Sequence, residues 1–233
     1  MATAIYYIVI TGKRTQQLTS KPGTRGNVLV ILYPYFRWEE YYSVFKVLKE
    51  HGFNIIVLCM TYRDNIVGVD LKGRTHIVNC NIHFPIGKLN YSNYKAVVFV
   101  GGPGLYCVLD YHAHELGLYK LDTWCRDMLK NYLENSETFL KVGIEIARKM
   151  YMSGHVVAAI CVAPVILCMS GLLKDRPFTM YRCDVTLRLV RYYGCTDLSN
   201  SPVVKIGKIV TGCGPEAAQE FAETILKVLE NVK

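Results

Sequence analysis

The sequence contains nine cysteines but no Cys-x-x-Cys pair, and it has only six histidines and two tryptophans. It also has no low-complexity segment and no internal repeat, which excludes fibrous and solenoid architectures. The absence of closely spaced cysteine pairs excludes the common zinc-finger and redox-dithiol spacings. Apolar residues make up 51% of the chain and charged residues 20%, a mixture that is typical of a globular protein with one large core.

The cysteines are interpreted mainly as buried thiols. A chain of 233 residues with this apolar content does not need a disulfide scaffold, and free cysteine is among the most buried residue types. The nearest candidates for a bridge are Cys183, Cys195 and Cys213. The sequence leaves their pairing open.

Two apolar segments are weak candidates for an export signal or a membrane span. The run at residues 4–10 has no basic residue ahead of it and no small-residue cleavage site, unlike a signal peptide. Residues 156–173 carry no charge, but Pro164 interrupts them, so a buried strand followed by a buried helix is expected. We therefore expect no membrane segment and a cytoplasmic location.

The net charge of +8 makes acidic partners conceivable. The lysines and arginines are scattered singly or in pairs, however, and no basic stripe alternates with aromatic residues. Nucleic-acid binding needs a clustered basic footprint, so a solvated basic surface is the expected interpretation.

The hydrophobic pattern alternates between strand-like and helix-like segments, which predicts an α/β fold with a mostly parallel central sheet. We expect a single domain over residues 1–233, with residues 105–134 forming one or two helices. Other helices are predicted at 38–51, 137–152, 163–173 and 215–229. Strands are predicted at 27–33, 53–58, 96–100 and 156–160, and strand pairs within 66–78 and 202–210.

The stretch Ala-Ala-Ile-Cys-Val-Ala-Pro places Cys161 between an apolar strand and a helix. Small neighbours allow the strained turn of a nucleophile elbow, and a helix N-terminus behind the sulfur is expected to lower the thiol pKa. The alternative is that Cys161 is one more buried thiol.

Two other features lie where strands and helices meet. Gly101 and Gly102 follow a predicted strand, so their backbone could form an oxyanion hole together with the N–H of Val162. The alternative is an ordinary tight turn. Glu39 and Glu40 begin the first long helix, where the helix dipole favours acidic residues in any case.

These motifs, in this order, resemble the DJ-1/PfpI superfamily, whose members share a flavodoxin-like, class I glutamine-amidotransferase-like fold. The resemblance covers most of residues 27–229 and is carried by four segments: NVLVILYPYFRWEEYYSVFKVLKEHGFNIIVL, YKAVVFVGGPG, GHVVAAICVAPVILCMSGLLKDRPFT and PVVKIGKIVTGCGPEAAQEFAETIL. It implies a three-layer sandwich with Cys161 as the nucleophile, Glu40 as its acid, and Gly101 and Gly102 as the oxyanion loop. It also implies a homo-oligomer, and no cofactor is expected.

Departures from the family pattern concern histidine. Val162 and Tyr181 stand at the two positions where branches of the family carry a His, and Tyr181 is itself a possible third member of the site. Residues 1–26 look like an N-terminal extension and residues 105–135 like a helical insertion, which carries His112 and His114 as possible third members of the site. These two histidines could instead bind zinc with Cys107 or Glu115, but two residues apart they do not share a helix face, so surface histidines and no metal are expected.

The resemblance implies a cysteine-dependent enzyme of the glyoxalase or deglycase kind, acting on a small carbonyl substrate. Because a carboxylate and a thiolate repel each other, Glu40 is expected to hold a proton while Cys161 is ionised. Three alternatives stay open: a redox-sensing or stress-protective protein oxidised at Cys161, an amidase or peptidase-like hydrolase with a His from the insertion, and a scaffold without activity.

Overall fold

The computed structural model describes residues 24–128 and 135–231. Ten strands form at β1 (Asn27–Leu32), β2 (Phe36–Arg37), β3 (Asn54–Cys59), β4 (Asn65–Val69), β5 (Thr75–Asn79), β6 (Ile82–His83), β7 (Tyr94–Phe99), β8 (Val156–Ile160), β9 (Val203–Ile206) and β10 (Ile209–Gly212) within these ranges. Seven α-helices are described in the same ranges: α1 (Trp38–Glu50), α2 (Pro103–Glu115), α3 (Thr123–Met128), α4 (Ser136–Met152), α5 (Pro164–Met169), α6 (Asp184–Tyr192) and α7 (Ala218–Asn231).

The central sheet has seven strands in the order β6-β3-β1-β7-β8-β10-β9. All neighbouring pairs are parallel except β10 with β9, which forms an antiparallel edge. Every residue of β1 and of β8 is buried, as expected for central strands covered on both faces. The predicted α/β fold with a mostly parallel sheet is therefore confirmed.

Helices flank this sheet and complete the sandwich. Helix α1 packs on α7, and α7 lies over β8 and β10. Helix α4 packs on α2, α5 and the strands β7 and β8. In α1 the apolar side chains Tyr41, Val44 and Leu48 recur at helical spacing and are buried, so the periodicity that predicted the helix is also what anchors it.

The segment from β8 to α5 settles the question raised by the uncharged stretch at residues 156–173. It folds as a five-residue strand, a sharp turn and a six-residue helix. No helix in the described ranges is both long enough and apolar enough to cross a bilayer. The predicted strand and helix are thus found.

Some elements were not predicted. Strands β4 and β5 form the expected antiparallel hairpin, but β2 pairs with β4 to make a separate three-stranded sheet. Helix α6 also went unpredicted, because it is only nine residues long and has arginines between its buried apolar positions. The N-terminal extension lies almost wholly outside the described residues, and of the 105–135 segment the structure describes α2, α3 and the loop between them.

The interpretation of the cysteines as mainly free thiols is wrong, because six of the nine form disulfides: Cys59–Cys80, Cys107–Cys125 and Cys168–Cys195. Cys195 was among the three bridge candidates but pairs with Cys168, and Cys183 and Cys213 are free. The partners are 18 to 27 residues apart and come together only through the tertiary fold. By loop closure each bridge stabilises the fold by about 3 kcal/mol.

We expect three thiols to react with an aromatic disulfide reagent in denaturant without reductant, and nine after reduction, because only Cys161, Cys183 and Cys213 are free. The measurement is a spectrophotometric thiol count. As controls, Cys183→Ser should lower the non-reduced count by one, and Cys168→Ser should raise it by one because it releases Cys195. A non-reduced count of nine would contradict the disulfides.

Candidate functional site

Cys161 occupies a sharp turn directly after β8. Its φ is 65°, a left-handed conformation that is uncommon for a residue with a side chain and that is found at strained functional turns. The turn is held by main-chain hydrogen bonds on both sides of the cysteine: Cys161 N–H donates to Gly212 O at 2.9 Å, and Tyr181 N–H donates to Cys161 O at 2.8 Å. The predicted elbow geometry is therefore present.

Gly101 packs directly against this turn. A Cβ on Gly101 would lie 2.6 Å from Cys161 Cβ and 3.1 Å from its Sγ, so only glycine fits there. Gly102 has a φ of 123°, and a Cβ on it would lie 2.5 Å from the backbone nitrogen of Arg37. The two glycines let three chain segments approach each other closely at one end of the sheet.

Glu40, in the first turn of α1, is completely buried beside the cysteine. Its Oε2 accepts a hydrogen bond from Gly101 N–H at 3.0 Å, and its carboxyl interacts with the Cys161 thiol. The second carboxyl oxygen of Glu40, Oε1, has no hydrogen-bond partner among the described residues. Glu39 points elsewhere, since its Oε1 accepts from Leu71 N–H at 2.8 Å and holds the β4–β5 hairpin.

Burial dominates the protonation of this pair. It raises the pKa of Glu40 to about 8, although the Gly101 N–H, the thiol and the Arg37 guanidinium all oppose the rise. Burial, and next the negative charge of Glu40, also raise the pKa of Cys161 above its ordinary value, against the Val162 N–H and Arg37. The expected lowering of the thiol pKa is therefore not found, because the sulfur is buried and α5 has only six residues.

The predicted oxyanion hole needs a correction as well. The Gly101 N–H is engaged by Glu40, and the Val162 N–H interacts with the Cys161 sulfur, so neither points to an empty position. Their observed role is to hold the acid and the sulfur. Gly102 instead is the N-cap residue that precedes α2, and the first turn of that helix presents main-chain N–H groups that no helical carbonyl satisfies.

The two histidines of the 105–135 segment lie away from the cysteine. At about 1.5 Å per residue, His112 is roughly 14 Å along α2 from Pro103, where the helix leaves the site. His112 Nε2 contacts the Tyr193 hydroxyl at 2.8 Å, and His114 Nδ1 contacts the carbonyl of Tyr119 at 3.3 Å. The third candidate, Tyr181, does reach Cys161, but through its main chain.

Within the described ranges, no group of three or more His, Cys, Asp or Glu side chains is placed to hold a metal ion. Cys107 is bonded to Cys125 in a disulfide, so it is not available as the thiolate ligand that the zinc alternative required. A zinc site built on Cys107, His112 and His114 is therefore excluded in this form of the protein.

Sequence reasoning missed two charged residues near the pair. Arg37, three residues before Glu40, lowers the pKa values of both Glu40 and Cys161 by its positive charge. Glu216 follows β10 at the same end of the sheet, and its negative charge raises the pKa of Glu40. The rule that sites form beyond the carboxyl ends of parallel strands could have pointed to Glu216.

Comparison with known proteins agrees with this geometry. The family model for the DJ-1/PfpI family matches residues 129–228, which include β8, the Cys161 turn and α7. Residues 129–228 therefore match the DJ-1/PfpI family, which confirms the resemblance over that part of the chain. The match does not include Glu40, Gly101 or Gly102, so their placement beside Cys161 is an independent observation from the fold.

The individual proteins that the chain resembles are distant from it. An uncharacterised protein of Methanocaldococcus jannaschii is 27% identical over 206 residues, covering 88% of this chain and 83% of that protein. Protein dj-1beta of Drosophila melanogaster is 34% identical over 88 residues, covering 38% of this chain and 44% of that protein. The crystal structure of a ThiJ/PfpI domain protein from Brachyspira murdochii has a TM-score of 0.67 at 22% identity, covering 91% of this chain and 100% of that one. At this identity the structural likeness shows the fold.

The buried Glu40 generates a prediction about stability. Its pKa of about 8 in the folded protein exceeds its ordinary value of 4.5, so the folded state retains a proton that the unfolded state releases. Stability that is present below pH 4.5 is therefore lost as the pH rises towards 8, and the loss amounts to about 3 kcal/mol by pH 7.

We expect Glu40→Gln, which keeps the acceptor for Gly101 N–H, to remove this loss. The measurement is the free energy of unfolding in urea at several pH values from 4.5 to 8. Glu50→Gln, at the exposed end of the same helix, is the matched control and should keep the wild-type pH dependence. An unchanged pH dependence in Glu40→Gln would show that the carboxyl is not the group responsible.

Proposed function

We propose that this protein is a cysteine-dependent enzyme that acts on small reactive aldehydes or their adducts, in glyoxalase- or deglycase-like chemistry at Cys161. The observation that carries the proposal is the buried Cys161–Glu40 pair, which combines one nucleophile with one proton carrier. Cys161 is 8% exposed, so a small electrophile fits this site better than a peptide. The match of residues 129–228 to the DJ-1/PfpI family is compatible with this chemistry and does not by itself specify it.

The first step is addition of the Cys161 sulfur to the aldehyde carbon. When the pair has lost one proton, the remaining proton can lie on the carboxyl while the sulfur carries the charge. A C–S bond forms, the π electrons of the carbonyl move to its oxygen, and that oxygen takes the proton from Glu40. The product is a neutral thiohemiacetal, and Glu40 is left as a carboxylate.

With an aldehyde that has a neighbouring ketone, the same carboxylate can complete the reaction. Glu40 removes the proton from the carbon that bears the sulfur and returns it to the neighbouring carbon, while the hydroxyl proton of the adduct passes to the former ketone oxygen. The adduct thereby becomes the thioester of a 2-hydroxy acid. Water then adds to the thioester, the C–S bond breaks, and the sulfur leaves with its electron pair. Overall, one aldehyde and one water give one 2-hydroxy acid.

The alternatives have weaker support. A redox sensor uses an exposed thiolate of low pKa, whereas burial here raises the pKa of the Cys161 thiol. A Cys–His hydrolase needs an imidazole at the sulfur, and His112 and His114 make their hydrogen bonds with Tyr193 and Tyr119. The Cys–Glu pair therefore favours carbonyl chemistry.

Location and self-association stay predictions. Disulfides of the observed kind persist in oxidising compartments and inside hyperthermophilic cells, so a cytoplasmic location for this form of the protein implies one of the latter. For the expected homo-oligomer, the segment carrying α2 and α3 presents Trp124 with half of its surface exposed.

The test of the proposal is turnover of methylglyoxal to lactate. We expect turnover by the wild type, no turnover by Cys161→Ser, and a rate at least about a hundredfold lower for Glu40→Gln, because proton transfer is lost while the fold is kept. Cys183→Ser, which removes another free thiol, is the control and should leave the rate unchanged. Equal turnover in the wild type and in Cys161→Ser would contradict the proposal.

A second prediction concerns the pH at which Cys161 becomes nucleophilic. Because burial raises the pKa of Glu40 to about 8 and also raises that of the thiol, the alkylation rate should climb between pH 7 and 9. The measurement is peptide-level mass spectrometry after timed exposure to iodoacetamide, with the Cys183 peptide of the same digest as internal reference. A rate that is already constant from pH 6 upwards would indicate a low-pKa thiolate instead. Glu40→Gln should raise the rate at pH 8, because the negative charge that raises the pKa of the Cys161 thiol is gone.

A further inference from the structure

An open cavity of about 300 Å³ lies beside the Cys161 turn. It is formed by three segments that follow the elbow in sequence, and the residues that matter for its chemistry are Tyr181, Arg182, Ser199, Asn200, Cys213 and Glu216. Its wall combines hydroxyl and amide groups with one acidic and one basic side chain. It is therefore a polar cavity, large enough for a ligand of a few non-hydrogen atoms.

The cavity is connected to the reactive pair through the main chain. Tyr181 donates its N–H to the carbonyl of Cys161 at 2.8 Å. On the other side, Cys161 donates its N–H at 2.9 Å to Gly212, the residue that precedes Cys213. A ligand seated in the cavity is thus next to the turn that carries the sulfur.

Glu216 is the charged group of the cavity that acts on the reactive pair. Cys213 Sγ donates a hydrogen bond to Glu216 Oε1 at 3.2 Å. Burial and this carboxylate raise the pKa of Cys213 to about 11, so the thiol is a neutral donor and leaves the charge of Glu216 uncompensated. The negative charge of Glu216 raises the pKa of Glu40, so its electrostatic effect reaches the carboxyl of the reactive pair.

The positive groups of the site are arranged differently. The Arg182 guanidinium donates to the carbonyl of Ser199 at 2.7 Å, which holds it at the rim of the cavity. Arg37 acts on the pair from the start of α1, and its charge is opposed by Glu40 whenever that carboxyl ionises. Both charged side chains that line the cavity are exposed, but Glu216 shifts the pKa of Glu40 by its charge, whereas the Arg182 guanidinium is held by the carbonyl of Ser199.

We propose that this cavity receives the non-reacting part of the substrate and that Glu216 makes it select neutral or cationic carbonyl compounds over anionic ones. The substrate role rests on the proposed function, whereas the charge selection applies to any electrophile that reaches Cys161 through the cavity. Glu216 is a specificity-determining residue, since it contacts the incoming molecule and takes no part in bond making.

The test compares two alkylating agents that differ in charge, iodoacetamide (neutral) and iodoacetate (anionic), on the full chain. Peptide-level mass spectrometry separates Cys161 from Cys183 and Cys213. For Glu216→Gln we expect the Cys161 rate ratio of iodoacetate to iodoacetamide to rise about threefold to tenfold at low salt, the size of effect that removing one nearby charge has at an exposed site. At about 1 M salt the difference should disappear, because the charge is then screened within about 3 Å.

Glu223→Gln is the matched control, because it removes the same charge from an exposed position further along α7. Its ratio should equal that of the wild type. An unchanged ratio in Glu216→Gln, or an equal rise in Glu223→Gln, would overturn the proposal, the second outcome indicating only an effect of net charge.

A parallel assay distinguishes this inference from the proposed function. If the protein turns over aldehydes, Glu216→Gln should raise kcat/KM for the anionic 2-oxoaldehyde 4,5-dioxopentanoate relative to neutral methylglyoxal by the same threefold to tenfold. Alkylation requires no turnover, so a protein without aldehyde activity but with the altered alkylation ratio would refute the enzyme proposal and keep the charge selection. Aldehyde turnover with an unaltered ratio would do the reverse.

Discussion

The close contact between Gly101 and Cys161 is the constraint on which the rest of the site depends. It follows from the parallel pairing of β7 with β8, which brings the ends of the two strands together, and it leaves no room for a side chain on Gly101. The N–H of the same glycine positions Glu40, while its carbonyl accepts from Arg37 N–H at 3.0 Å. One main-chain segment thus fixes the start of α1, the acid and the nucleophile relative to each other.

This arrangement affects the stability of the whole fold. A carboxyl group and a thiol buried side by side cannot both ionise. Because burial raises both pKa values, the pair retains at least one proton at neutral pH. The positive φ of Cys161 adds local strain. Both features are tolerated because the central strands around them are fully buried, as in β1, where all six residues are buried. The site lowers the stability of the fold, and the packing of the sheet offsets this loss.

Most of the fold, but only part of the site, could be predicted from the sequence. Hydrophobic runs such as Asn27–Leu32 and the helical spacing in α1 depend on local periodicity, so they could be predicted. The juxtaposition of Glu40 with Cys161 came from a resemblance, since spacing within one helix does not say which strand end it faces. The thiol pKa was expected to fall and instead rises, because burial is a property of the packed structure that sequence neighbours do not reveal. Disulfide partners escaped prediction for the same reason.

The disulfides explain how a site assembled from distant segments keeps its geometry. Cys107 lies in α2, which leaves from Gly102, and Cys168 lies in α5, which follows the elbow, so two of the three bridges anchor helices that begin at the reactive pair. Cys59 ends β3 at the same edge of the sheet. Cross-links of this kind limit the relative movement of the elements that must stay within hydrogen-bond distance. The turn carrying Cys213 and Glu216 has no such link, and its Cys213 N–H donates to the carbonyl of Pro202 at 2.9 Å, so the cross-links hold the elements around the reactive pair and not the wall of the cavity.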